Sequence, residues 1–334
     1  MLLTLRRAGG DTSRFLNGTS SGHLDLPRAR AGGLSGGLFA IFVPDPEVDP
    51  NAPAPAGWVA GGPLHPAYAA REAWAMLEIL EDLEARSAGQ VRICRTVEEI
   101  RACMATGTLA AGVHLEGAEP IDASLANLEA WYARGLRSIG LVWSRPNAFA
   151  HGVPFTFPGS PDVGPGLTTA GRELVRACNR LGIVVDLAHL NDAGFRDVAR
   201  ISDAPLVVSH ADMYGLCPTS RNMTDEQLAA VAASGGIVGI AFCVAFLRAD
   251  GVLNVDTPIA RLVEHIRYAV DRAGIDHVGL GSDFDGAKIP AELGDAAGLP
   301  KLIAALREDG FREAEIRKLT SENWLRVLGD IWRK

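Results

Sequence analysis

Residues 183–189 read IVVDLAH and residues 205–210 read PLVVSH. Each is a short β-branched, apolar run without polar alternation, the pattern of a strand buried on both faces in a parallel sheet. Each also ends on a histidine, His189 in the first and His210 in the second. Similar runs recur at Leu38–Val43, Ala111–Leu115, Ser138–Val142, Ile237–Phe242 and His277–Gly281; with Ile183–Leu187 and Leu206–Ser209 they give about seven strands. Helical spacing of apolar residues lies between them, at Ala67–Ala85, Ala123–Arg134, Thr169–Arg180, Thr224–Ala233, Pro258–Ala273, Lys301–Arg307 and Ser321–Trp332. Thr224 stands three residues before Gln227, a capping-box spacing, and a Thr cap opens the helix at 169. The alternation predicts βαβ units on a parallel α/β sheet. A closed parallel barrel takes eight strands, one more than the sequence offers.

The 334 residues suffice for one barrel domain over 1–334, with a Pro/Gly/Ala-rich surface insertion at 46–66 and a loop at 148–166. No internal repeat or linker divides them. The composition, 48% hydrophobic and 22% charged, is that of a globular chain with a sizeable core. The net charge of −8 and the absence of Lys/Arg clusters interleaved with aromatics argue against nucleic acid as a partner. No apolar run is long enough to span a membrane, and the first residues lack a signal-peptide pattern. The five cysteines show no zinc-type spacing and read as reduced, mostly buried thiols, so a cytoplasmic location is expected.

Four polar residues follow strands: Glu116 after GVHL, His189, His210, and Asp283 after HVGLGS. The strands of a parallel barrel all end at one face, so these side chains converge there. Two imidazoles and two carboxylates suit Zn²⁺, as one ion or as a pair with a bridging carboxylate. Singly, each has a plainer explanation. A histidine after an apolar strand can be a half-buried core residue, Glu116 can cap a helix, and Asp283 can serve a turn. Their joint placement at four strand ends favours the metal site. His114 lies two residues before Glu116 on the same side of its strand, and supporting a ligand or simple burial suits it better than ligation. His151, in the Gly/Pro loop, can face a substrate.

These motifs resemble the membrane dipeptidase (renal dipeptidase) family of zinc dipeptidases, in its bacterial form. The similar stretches are LPRARAGGLSGGLFAIFVP, GVHLEGAEP, GLTTAGRELVRACNRLGIVVDLAHLNDAGFRDV, APLVVSHADMYGLCPTSRNMTDEQLAAVAASGGIVGIAF, HVGLGSDFDGA and SENWLRVL, nearly end to end. The resemblance implies a (β/α)₈ TIM barrel of the metal-dependent hydrolase type with two zinc ions at its mouth. It makes Glu116 the bridging carboxylate, His189 and His210 ligands of the second metal, and Asp283 the acid/base. Arg221 becomes the holder of the substrate's terminal carboxylate, a task that suits a planar guanidinium. The implied partner is a small dipeptide, with a homodimer as the oligomeric expectation.

Two departures stand out. Trp143, in GLVWS, occupies the place of the family's substrate-contacting histidine, so that contact is in doubt, with His151 as a substitute. The family also opens with a His-x-Asp pair on its first strand. His23 and Asp25 offer such a pair, but His23 lies only thirteen residues before Gly36, closer than the family spaces its pair from the corresponding strand. The expectation is therefore that the first strand and its two ligands are missing from this chain, and that the activity of the chain as given depends on them. The resulting reading is a zinc-dependent dipeptidase using a metal-activated water. The alternatives are a related barrel hydrolase acting on another amide or lactam, or a catalytically inert truncated homologue.

Overall fold

A computed structural model of the chain describes residues 1–46 and 61–332. Its strands are β1 (Gly36–Ile41), β2 (Val91–Ile93), β3 (Leu109–Leu115), β4 (Leu136–Gly140), β5 (Val184–Asp186), β6 (Val207–Ala211), β7 (Ile237–Ile240) and β8 (Val278–Leu280). They form one sheet in the order β1-β3-β4-β5-β6-β7-β8, with every pairing parallel. All seven expected strands are present. The eighth, β2, lies off this path against the first half of β3, with Val91 opposite Leu109. Among the described residues no pairing joins β8 to β1, so the curled sheet is open between them.

The strands are buried because helices cover them. Every residue of β3, β4, β5, β6 and β7 is buried, as the continuous apolar runs require. Side-chain caps start the covering helices. Thr168 accepts from the Gly171 N–H ahead of helix Thr169–Leu181, and Asn191 from the Gly194 N–H ahead of helix Asp192–Ile201. Thr224 and Gln227 form the expected capping box before helix Asp225–Ala233. Leu2 and Leu5 of helix Leu2–Arg7 are buried, and that helix packs on helix Pro66–Arg86 and on β1.

One expected helix is much shorter. Of 123–134 only Leu128–Ala133 is helical, because Leu125 takes a positive φ of 63° and Asn127 binds the loop backbone at Pro120 and Asp122. The 148–166 segment is a loop, anchored by the Val153 N–H donating to the His189 carbonyl. Most of the 46–66 insertion lies outside the described residues. All five cysteines are free and buried, and no helix among the described residues is long and apolar enough to cross a membrane.

Candidate active site

Parallel pairing places the C-terminal ends of the strands at one rim. Glu116 directly follows β3, where its N–H donates to the Ile41 carbonyl of β1. His210 lies within β6, and His189 three residues beyond β5. The His189 Nε2 is 3.0 Å from His210 Nε2 and 3.1 Å from Glu116 Oε1, and His210 Nε2 is 3.7 Å from the same oxygen. Among the described residues these three form the one group of His, Cys, Asp and Glu donors gathered tightly enough to hold a metal ion.

The far side of each imidazole is held by a hydroxyl. His189 Nδ1 is 2.8 Å from Ser144 Oγ, and His210 Nδ1 is 2.8 Å from Ser209 Oγ. The second contact fixes a tautomer. Ser209 donates its only hydroxyl proton to Asp186 Oδ2, so its oxygen must accept from His210 Nδ1–H. The proton therefore sits on Nδ1, and Nε2 turns a bare lone pair toward His189 and Glu116. Asp186 is buried and also accepts from the Ser209 and Ala188 N–H groups, with His114 Nε2 3.6 Å from it. His114 thus supports the support, through Asp186, and Ser138 holds its other nitrogen. Burial holds His189 and His210 well below the ordinary imidazole range, each helped by the positive Arg221. Two neutral imidazoles and a carboxylate oxygen facing one point fit a divalent cation of the zinc type.

Asp283 and Arg221 make the neighbouring corner. Burial, then the nearby Glu116 carboxylate, pushes the Asp283 carboxyl up to about 8, while Arg221 pulls it down. Arg221 is buried; among the described residues its Nε has no partner and its side chain makes one hydrogen bond, from Nη2 to the His210 carbonyl at 3.4 Å. Burial lowers its pKa; the Asp283 and Glu116 carboxylates act against this. Asp212 is fully buried with no side-chain hydrogen-bond partner among the described residues, only the Ala241 backbone N–H favouring its charged form. His265 Nδ1 is 3.8 Å away but accepts from the Met213 N–H, so it has no proton to give Asp212. Burial accordingly raises the Asp212 carboxyl well above its ordinary range, and Asp283 adds to this.

Backbone strain marks the same place. Five non-glycine residues among those described carry positive φ, and His189 (66°), Asp283 (54°) and Asp285 (66°) are three of them. Close strand packing helps too. A Cβ on Gly239 or Gly281 would lie 2.2 or 2.1 Å from the Ser209 carbonyl oxygen, so only glycine lets β7 and the end of β8 approach the histidine-bearing strand.

Aromatic rings wall the cleft. The Trp143 ring lies 5.0 Å from Phe42, 5.4 Å from Phe155 and 5.8 Å from His189. Trp143 therefore does reach the centre, although it offers no imidazole. His151 does not join by any contact among the described residues; its ring lies beside Gly164 and its carbonyl accepts from the Asn191 N–H. Asp25 is committed elsewhere, capping helix Leu26–Ala31 and pairing with Arg28. His23 Nδ1 accepts from the Asp285 N–H. The His23/Asp25 pair thus stays out of the donor group, as its short spacing implied.

The sequence reading singled out Glu116, His189, His210, Asp283 and Arg221, and the structure places them at one rim. It missed Ser144, Asp186 and Ser209. Asp186 had a visible signal, a lone carboxylate inside the apolar run IVVDLAH; the two serines had none.

The family model of the membrane dipeptidases, peptidase family M19, matches residues 1–333. The chain belongs to the membrane dipeptidase family. Its membership makes it a hydrolase of the metallopeptidase type, and the donor group provides a place for the metal. It is similar to a metallopeptidase from Rhodobacter sphaeroides solved with a phosphinate mimic of the dipeptide L-Ala-D-Ala, at 46% identity and a TM-score of 0.93, covering 99% of this chain and 97% of that one. The probable dipeptidase PvdM from Pseudomonas aeruginosa shares 27% identity at a TM-score of 0.81, over 93% of this chain and 89% of that one. An uncharacterised protein from the pqqA 5′ region of Klebsiella pneumoniae is 48% identical over 261 residues, 78% of this chain and 96% of its own length. The two solved structures share the TIM-barrel-like α/β architecture of the curled parallel sheet.

Proposed function

We propose that this dipeptidase-family chain is a zinc-dependent dipeptidase that cleaves the single peptide bond of small dipeptides. The observation that supports the reading best is the convergence of His189 Nε2, His210 Nε2 and Glu116 Oε1 on one point beside the buried Arg221. Glu116, His189 and His210 would hold a zinc ion, the shared part of the two-zinc site that the family resemblance implies. Such an ion lowers the pKa of a bound water and polarises the peptide carbonyl.

Arg221 receives the substrate's terminal carboxylate. Its Nε is desolvated and unpartnered, so an arriving carboxylate supplies the missing acceptor, and a longer peptide lacks that charge at the same place. Asp283 takes the proton of the attacking water and delivers it to the departing amine. Burial and Glu116 push its carboxyl up in the chain alone, and a cation held by the neighbouring donors would act the other way, favouring the carboxylate that accepts the proton. Trp143, standing where the family has its substrate histidine, offers one indole N–H in place of the imidazole that contacts the substrate carbonyl or oxyanion. That substitution is the one observation favouring the second reading, a related hydrolase acting on another amide or a lactam.

The test is hydrolysis of a panel of L-L and L-D dipeptides, with lactams and tripeptides alongside, by zinc-loaded and chelated protein. Zinc-dependent cleavage of dipeptides over tripeptides is expected. Cleavage of lactams alone would replace the reading with the second one, and no cleavage of anything by zinc-loaded protein would point to an inert homologue.

A further inference from the structure

We propose that Phe155 and Phe246 form a side-chain subsite that makes this chain prefer dipeptides whose C-terminal residue is apolar and larger than alanine. The inference rests on the dipeptidase reading and on Arg221 as the carboxylate anchor. The C-terminal side chain leaves the same Cα that bears the carboxylate, so it must lie on whatever surface borders Arg221. That surface is aromatic. The Arg221 guanidinium carbon sits 5.4 Å from the centroid of Phe246. Phe155 lies parallel to Phe246, 6.3 Å away with 6° between the planes, and its other edge meets His189 at 6.3 Å. One wall therefore runs from the carboxylate anchor to the metal ligands.

The wall is also tied to the anchor. The loop carrying Phe155 binds Ser220, the residue before Arg221, through Thr156 N–H to Ser220 Oγ (3.2 Å) and Ser220 N–H to the Thr156 carbonyl (3.1 Å). On the other side Asn222, the residue after Arg221, donates from Nδ2 to the Phe246 carbonyl at 2.9 Å. A carboxylate placed on Arg221 thus meets both rings at a fixed offset.

Phe155 is 56% exposed, a large apolar cost for a residue this well anchored. Its surroundings repeat the pattern. Of the six exposed large hydrophobic residues among those described, five (Phe155, Phe157, Val252, Leu253 and Val255) lie on two loops at this rim. The loops touch, since a Cβ on Gly251 would fall 2.2 Å from the Phe157 ring. An apolar substrate side chain covers part of this surface, and a charged one gains nothing from it.

The test measures calorimetric binding of phosphinate mimics of Ala–Ala, Ala–Leu and Ala–Phe to zinc-loaded protein, and kcat/KM for the three dipeptides. The Leu and Phe forms should exceed the Ala form by at least about tenfold in both. Phe155→Ala, at an exposed position where folding is undisturbed, should cut that ratio to below about threefold. Equal binding of the three mimics, or a ratio unchanged in Phe155→Ala, overturns the subsite. Equal cleavage of all three dipeptides overturns the subsite and leaves the dipeptidase reading standing. Discriminating mimics without any dipeptide cleavage leave the subsite and overturn the dipeptidase reading, and if no mimic binds both fall.

Discussion

Two corners of the same rim treat their polar atoms in opposite ways. At the ends of β3, β5 and β6 each histidine is tethered from behind, by Ser144 or by Ser209 and Asp186, and only the atoms facing the common point remain open. At the Arg221 corner, Arg221 Nε and both oxygens of Asp212 are buried and meet no side-chain partner among the described residues. Buried polar groups without partners are costly. In the proposed reading the first corner is the part of the rim that would hold a metal ion, its two histidines fixed from behind. At the second, a substrate carboxylate would supply the acceptor that Arg221 Nε lacks. If the proposed roles hold, the difference separates holding a metal from recognising a ligand, and mutations should split along it.

The largest effects belong to the chemistry that the two corners share. Asp283→Asn should lower kcat by about 10²–10⁴-fold with zinc content unchanged, because it removes the proton carrier and leaves the three donors intact. Steady-state kinetics with parallel metal analysis checks this, and loss of zinc together with activity would place Asp283 in the cradle instead.

Arg221→Met comes next. It should reduce kcat/KM for dipeptides by about 10²-fold, mostly through KM, while zinc binding stays. A fall in kcat alone would show that Arg221 serves the transition state and not the carboxylate.

Asp186→Asn frees the Ser209 hydroxyl and unsettles the His210 tautomer. Zinc affinity should weaken by about 10–100-fold, with KM at saturating zinc little changed. A competition titration against a chelator of known affinity reads it, and unchanged affinity would sever the link from Asp186 to the cradle.

The smallest effect lies outside both corners. His265 is buried and neutral, donating from Nε2 to the Leu247 carbonyl and accepting from the Met213 N–H, and burial lowers its pKa to about 4. The unfolded chain, with an ordinary imidazole near 6.5, then binds more protons than the folded one between those values. The contribution is whole above pH 6.5 and declines as pH falls toward 4, by at most about 1.4 kcal/mol per pH unit. Urea melts of wild type and His265→Gln across that window should converge at low pH, and parallel pH profiles would contradict the assignment.

Much of this was legible in the sequence for a physical reason. Strands buried on both faces must be continuously apolar, so seven of them announce themselves, and polar residues at their ends stand out by contrast. Strand β2 hid because it has three residues and its middle one, Arg92, is exposed. The helix at Asp192–Ile201 has few apolar residues to mark it, chiefly Phe195 and Val198. The supports of the site were illegible for another reason. Ser144 meets His189 across 45 residues and Asp186 meets Ser209 across 23, and a serine's role is set by that neighbour and not by its own surroundings in the chain. His151 shows the converse limit, since its place in a Gly/Pro loop was legible while the direction of its ring, toward Gly164, was not.

The most direct measurement is a zinc titration of chelated protein with cleavage of Ala–Leu followed at each addition, in wild type and in Glu116→Gln, His189→Ala and His210→Ala. Cleavage should rise in step with zinc bound by the wild type, and each variant should need at least about tenfold more zinc to reach half its maximal rate. Zinc that binds equally well to all four proteins, or cleavage that proceeds in the chelated enzyme, would contradict a catalytic metal held by these three side chains.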